Sequence, residues 1–139
     1  MKAELLKILR EAEDYVSGQQ LCDHFGVSRT AVWKVIRQLQ EEGYQIEAVK
    51  NRGYLLKKDA MPDVMTTPEI ISRLHSRWMG RNCIFLETVD STNNYLKRAA
   101  EDGAVNGTLA VAEEQTGGKG RRGRSWETPK GSNIAMTIL

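Results

Sequence analysis

The sequence predicts an α+β chain built in two units, and three observations carry that reading. Three apolar-striped helical segments come first, each punctuated by a capping residue or a glycine. The period then changes from helical to alternating across "YQIEAVKNRGYLLKK". Beyond residue 63, strand-like runs alternate with helical ones, as in a mixed α/β unit.

In the first unit, "ELLKILREAE" (4–13) places Leu5, Leu6, Ile8, Leu9 and Ala12 on one helical face. Ser17, with Gln20 three residues on, forms a capping box for a short helix that breaks at Gly26. Ser28 caps the third helix, "RTAVWKVIRQLQEE", which Gly43 ends. Its apolar stripe is Val32, Val35, Ile36 and Leu39, and Arg29, Thr30, Trp33, Lys34 and Arg37 lie opposite. A shifted helix phase would instead place Trp33 in the core. Two strands then join around Asn51-Arg52-Gly53, a hairpin signal.

Helix, helix, short turn, helix and hairpin make the winged helix-turn-helix plan, and its physics suits DNA. The amphipathic third helix enters the major groove while the hairpin reaches the adjacent backbone. Ser28, Arg29, Thr30, Trp33, Lys34 and Arg37 would then face DNA, and Lys50 and Arg52 would meet phosphates. For any one of these residues, a merely solvated surface is the alternative.

The pattern lapses across "KKDAMPDVM" (57–65), where Pro62 marks a linker. Residues 1–63 are therefore assigned to the DNA-binding unit with its linker, and 64–139 to the second unit. There "TTPEIISRLHSRWMG" (66–80) reads as one helix, with a capping threonine, proline in the first turn and Gly80 at its end. "NCIFLETV" is a strand, "NNYLKRAAEDG" a helix closed by Gly103, "GTLAVAEEQT" a second strand, and "SNIAMTIL" a third. Ser91 and Thr92 offer an N-cap to the helix between the first two strands.

Composition narrows the classes. With no long apolar run and no basic-then-apolar leader, neither a membrane span nor a secretion signal is expected. Cys22 and Cys83 lie far apart without metal-ligand spacing, which predicts free thiols in a reducing cytoplasm and no metal site. The net charge of +2 conceals its distribution: residues 119–130 carry five cations against Glu127 alone. Such a cluster points to a phosphate-bearing partner.

That cluster lies in "GGKGRRGRSW" (117–126), where Lys119, Arg121, Arg122 and Arg124 alternate with glycines. Following a strand, such a loop can present backbone N–H groups to a phosphate while glycines allow close approach. Gly118, Gly123 and Ser125 fit the spacing of a P-loop, but Arg124 stands where lysine belongs and no helix opens after it. A basic nucleic-acid patch and a solvated loop remain as alternatives from residue types alone.

The same stretch resembles the glycine-arginine loop of biotin protein ligases, G-R-G-R-x-G-R followed shortly by tryptophan. "DSTNNYL" (90–96) resembles the family's D-S-T-N signature, Gln115 stands where the family has its glutamine, and "GSNIAMTI" resembles its G-x-N strand segment. The winged helix-turn-helix in front matches the bacterial subgroup that doubles as biotin-operon repressor. Lys119 departs from the pattern, since the family usually has arginine there; the charge stays but the bidentate fork is lost.

The resemblance implies a ligase that joins biotin's carboxylate to the AMP of ATP. It then passes biotin to a lysine of the biotin carboxyl carrier protein of acetyl-CoA carboxylase. Ser91, Thr92, Asn93, Gln115, Lys119, Gly120 and Arg121 would contact biotin. Gly118, Arg121, Arg122, Arg124, Trp126 and Asn133 would line the adenylate site, with Mg²⁺ arriving on ATP through phosphates and water. The family's catalytic lysine lies in a Lys-Trp-Pro-Asn-Asp segment not found among these residues. The chain is therefore expected to be catalytically incomplete and to dimerise weakly or not at all, although the full-length relatives form homodimers. A stand-alone winged-helix regulator with a remnant ligase domain is the alternative.

Overall fold

Leu5, Leu6 and Leu9 share one face at helical spacing, and burying that face requires a partner with a matching stripe. The computed structural model describes all 139 residues, Met1–Leu139, and divides into two units, Met1–Val64 and Met65–Leu139. In the first, α1 (Lys2–Glu11), α2 (Gly18–Phe25) and α3 (Arg29–Glu41) precede a hairpin of β1 (Ile46–Val49) and β2 (Gly53–Leu56). The three leucines pack with Leu21, Val32, Val35, Ile36, Leu39, Tyr44, Ile46 and Leu56 into one core.

The local signals act as read. Ser17 Oγ accepts from the Gln20 N–H at 3.1 Å while Gln20 Oε1 accepts from the Ser17 N–H at 3.0 Å, closing the capping box. Gly26 ends α2 in the left-handed region. Ser28 Oγ accepts from the Ala31 N–H at the start of α3. The first helix starts and ends two residues earlier than predicted, and Ala12 beyond it turns extended. That turn lets Val16 exchange two backbone hydrogen bonds with Tyr54, each 2.9 Å, adding a third extended segment beside the hairpin. Gly53 sits at φ 118° under this segment, and a Cβ there would lie 2.0 Å from the Val16 carbonyl oxygen.

In the second unit, α4 (Thr67–Arg73) leads to β3 (Cys83–Val89), α5 (Thr92–Glu101), β4 (Leu109–Lys119), β5 (Ser125–Thr128) and β6 (Ala135–Ile138). β4 is the spine of the sheet. β3 runs parallel to it, Cys83 opposite Leu109 through Val89 opposite Gln115. β6 pairs antiparallel with residues 109–112 of β4, and β5 pairs antiparallel with residues 115–119. A strand with neighbours along both edges should be apolar on both faces. Leu109, Ala110, Val111 and Ala112 are all buried.

Two expectations are corrected. The helix predicted over 66–80 stops at Arg73. Residues 76–81 instead form a turn, in which the Ser76 hydroxyl donates to the Met79 carbonyl and Arg81 Nε to the Ser76 carbonyl. The Gly80 N–H donates to the Gly107 carbonyl at 2.8 Å, and the Trp78 ring lies over Gly107. Tertiary packing overrides the helical pattern there. The glycine-arginine segment is not a loop along its whole length: β4 runs on to Lys119 and returns as β5, a strand the sequence reading did not assign.

Gly53→Ala should destabilise the first unit by roughly 2 kcal/mol or more, through backbone strain and the clash at Val16. Ser17→Ala, which removes only the cap, should cost about 1 kcal/mol. Urea unfolding of the two variants beside the parent measures both.

Candidate functional site

The turn from β3 into α5 carries Asp90, Ser91, Thr92 and Asn93. Ser91 occupies the N-cap position, yet its hydroxyl makes no capping hydrogen bond. The turn is held instead by Asp90. Its carboxylate takes both Arg98 nitrogens at 3.1 and 3.0 Å, Asn94 Nδ2 at 3.1 Å and the Ser91 N–H. The Arg98 fork first, then the Ser91 N–H and Asn94, keep this carboxyl well below the usual carboxylate range. Neither Asp90 nor Arg98 as a bracing pair was marked by the sequence reading. The signal was available, since the two sit eight residues apart across the first turns of a helix.

Gln115, on β4, reaches across to this turn. Its Oε1 accepts from the Thr92 N–H at 2.8 Å and lies 3.1 Å from the Thr92 hydroxyl. Because the backbone N–H can only donate, the orientation of the Gln115 carboxamide is fixed, and Nε2 points to Thr128 Oγ1 on β5 at 3.4 Å. On β6, Thr137 Oγ1 stands 2.9 Å from Thr92 Oγ1 and 2.6 Å from Asn93 Oδ1. Thr92, Asn93 and Gln115 therefore meet in one polar network, to which β5 and β6 add Thr128 and Thr137. Those two were missed because nothing in a lone threonine shows which strand will bring it back. Ser91 and Thr92 are buried, while Asn93 is exposed.

The hairpin carries the rest. Gly117 donates to the Asp90 carbonyl at 2.7 Å, tying the glycine-arginine strand to the Asp-Ser-Thr-Asn turn. Gly118 is buried opposite Trp126, where a Cβ would lie 2.5 Å from the Trp126 carbonyl oxygen. Both glycines are needed by close backbone approach within the fold, Gly117 to the Asp90 carbonyl and Gly118 to Trp126. The turn proper is Gly120–Arg124: the Gly120 N–H donates to the Arg124 carbonyl at 2.7 Å, and Arg122 adopts φ 58°.

Lys119, Arg121, Arg122 and Arg124 are all exposed, and none makes an ion pair. Trp126 is 60% exposed. Asn133, also exposed, donates to Ser132 Oγ at 2.7 Å in the connection to β6. Four unpaired cations on a two-stranded tip form a site whose charge is uncompensated, one suited to an anion.

In the first unit, Arg29, Thr30, Trp33, Lys34 and Arg37 line the exposed side of α3, which settles the helix phase. Trp33 is 52% exposed, and the Arg37 guanidinium stands 5.7 Å from its ring. Ser28 is exposed, but its hydroxyl serves as the helix cap. Lys50 and Arg52 lie at the hairpin turn, beside a cleft of about 400 Å³ that Gln19 and Arg29 also line. Arg52 is not idle: its guanidinium stacks 4.2 Å from the Tyr15 ring and approaches Asp14 Oδ1 at 3.4 Å. No helix is long and apolar enough to cross a membrane.

Two outcomes test this geometry. Gly118→Ala should unpair β5 from β4, seen as loss of amide protection in residues 125–128 by hydrogen exchange while β3 is retained. The Asp90 carboxyl should show no inflection near its ordinary value of ~4 in a ¹³C titration, and Arg98→Met should restore one. With the folded value depressed, the contribution of this bracing is present above the ordinary range and is lost as pH falls below it.

Residues 2–55 match the HTH domain family, and residues 85–139 match the Biotin/lipoate A/B protein ligase family. The chain is 37% identical to the bifunctional ligase/repressor BirA of Bacillus spizizenii and 36% to that of Bacillus subtilis. Both alignments take in 100% of this chain and 42% of the relative. It is 33% identical to the BirA of Escherichia coli over 98% of this chain and 40% of that protein. The chain thus spans less than half the length of the curated relatives it matches. A solved structure, the biotin protein ligase from Aquifex aeolicus in complex with biotin and ATP, shares 45% identity over 37% of this chain and 21% of its own. Its TM-score is 0.32, too low for that superposition to bear on the site.

Proposed function

We propose that this chain, an HTH domain joined to a segment of the Biotin/lipoate A/B protein ligase family, serves a bifunctional biotin ligase and operon repressor. The observation that carries the reading is the Gln115–Thr92 contact, which joins the Asp-Ser-Thr-Asn turn to the strand that ends in the cationic tip. A polar side-chain network and an unpaired cationic hairpin on one strand fit a ligand that is neutral and polar at one end and anionic at the other. Biotin and its adenylate are such molecules.

In this reading Ser91, Thr92, Asn93 and Gln115 orient biotin, and Lys119, Gly120 and Arg121 receive its carboxylate. Gly118, Arg121, Arg122 and Arg124 gather the phosphate, with Trp126 and Asn133 toward the adenine. In the full-length ligase, of whose relatives this chain matches 42%, the carboxylate attacks the α-phosphorus of ATP, a P–O bond to pyrophosphate breaks, and biotinyl-AMP forms. The residues present hold the ligands and are expected to be catalytically incomplete. Cations at the tip offset the repulsion between two anions and the charge that develops in the transition state. Closing the hairpin keeps water from the mixed anhydride. Mg²⁺ enters on the phosphates of ATP. The ε-amine of a lysine on the biotin carboxyl carrier protein then attacks the acyl carbon, the bond to phosphate breaks and AMP leaves as the amide forms, in the cytoplasm.

The first unit binds operator DNA. Arg29, Thr30, Trp33, Lys34 and Arg37 enter the major groove, Ser28 sits at the entry of that helix, and Lys50 and Arg52 neutralise phosphates. Arg52 exchanges its Asp14 and Tyr15 contacts for a phosphate on binding. Dimerisation belongs to the same proposal and is weak for the residues present.

Calorimetry with biotin and with a non-hydrolysable biotinyl-AMP analogue is the deciding experiment. Binding of the analogue, weakened about tenfold by Arg121→Ala, supports the reading. A folded chain that binds operator DNA but neither ligand would favour a regulator with a remnant ligase domain. On the DNA side, Lys50→Ala should lower affinity for all sequences alike and reduce the slope of log K against log salt by about 1.

A further inference from the structure

The Thr137 hydroxyl has one proton and two close oxygen neighbours, Asn93 Oδ1 at 2.6 Å and Thr92 Oγ1 at 2.9 Å. Which neighbour receives it decides how Asn93 faces the site. An N–H···O bond normally spans about 2.7–3.2 Å and an O–H···O bond about 2.5–3.0 Å. The 2.6 Å contact is therefore an O–H···O bond, with Thr137 donating to the Asn93 carbonyl oxygen rather than accepting from its amide nitrogen. Thr92 Oγ1 donates to Gln115 Oε1 at 3.1 Å, a carbonyl oxygen with a second lone pair beside the one that takes the Thr92 N–H. The Thr92 proton is spent there, and the Thr137 proton goes to its nearer neighbour, Asn93 Oδ1. Each proton has one destination. With its Oδ1 taken by Thr137, Asn93 keeps its Nδ2 donors unspent on an exposed side chain.

We propose that Thr137 is a positioning residue: it turns the Asn93 carboxamide so that the site offers N–H donors, and so selects a ligand with a carbonyl-type oxygen there. This deepens the biotin reading and rests on it, the ligand oxygen being that of the ureido ring or the carboxylate. Thr137 is well placed to do so from outside the ligand site, because β6 is locked to β4 through the pair Thr137–Ala110. A β-branched residue suits that strand position, so Thr137→Val keeps the fold while removing the proton.

The test compares the parent chain, Thr137→Val and Thr137→Ser by NMR of the Asn93 side-chain amide, followed by titration with biotin. The expected result is that valine shifts the Asn93 carbonyl carbon and amide protons and weakens biotin about tenfold, while serine restores both. Asn93 resonances unmoved by valine, or biotin affinity equal in parent and valine forms, would overturn the proposal. If the Asn93 signals depend on the hydroxyl but the parent does not bind biotin, Thr137 still orients Asn93 and it is the biotin reading that falls.

Discussion

The second unit hinges on one carboxamide. Gln115 Oε1 faces the Thr92 N–H, and a backbone N–H cannot reverse its role. That single fixed polarity sets the rotamer of Gln115, the direction of its Nε2 toward β5 and the distance between β4 and the first turn of α5. Everything the site offers is arranged around it. Asp90 braces the same turn from outside, using Arg98 for charge and its own carbonyl to receive Gly117. The turn is thereby held by two strands and a helix rather than by its own cap. Ser91, freed from capping, remains buried beside the network.

Electrostatics and backbone packing divide the glycine-arginine segment between them. Gly117 and Gly118 are spent on close approach to the Asp90 and Trp126 backbone, so their lack of side chains serves the fold. The cations beyond them have no anionic partner within the chain. Like charges crowded on a narrow tip repel, and their closest arrangement is stable only with an anion between them. The hairpin therefore combines a strand anchored at its base with a tip whose charge stays available.

The first unit shows the opposite economy. α2 and α3 are capped by their own sequence and the leucine-rich core is fully buried, so of the exposed face of α3 only Arg29 is engaged by a neighbouring helix, through Gln19. Trp33 is the informative residue there. Its large aromatic side chain is left half in solvent, with the Arg37 guanidinium against it, outside the core that the same helix builds.

The sequence by itself determined what depends on neighbours in the chain. Capping box, glycine stop, apolar stripe and hairpin turn act over four residues or fewer, so the first unit was legible from Ser17, Gly26, Ser28 and Gly53 onward. The order of the chemistry-bearing motifs was legible too, because Asp-Ser-Thr-Asn, Gln115 and the glycine-arginine run are contiguous words. Tertiary structure decided the rest. It ended α4 at Arg73 when residues 76–81 found hydrogen bonds to each other and to Gly107. It carried β4 through two glycines because β5 was there to pair with Gly118 and the Asp90 carbonyl to receive Gly117. And it brought Thr128 and Thr137 to Gln115 and Thr92, contacts spanning 13 and 45 residues of chain, which no local preference encodes and only the closing of a sheet creates.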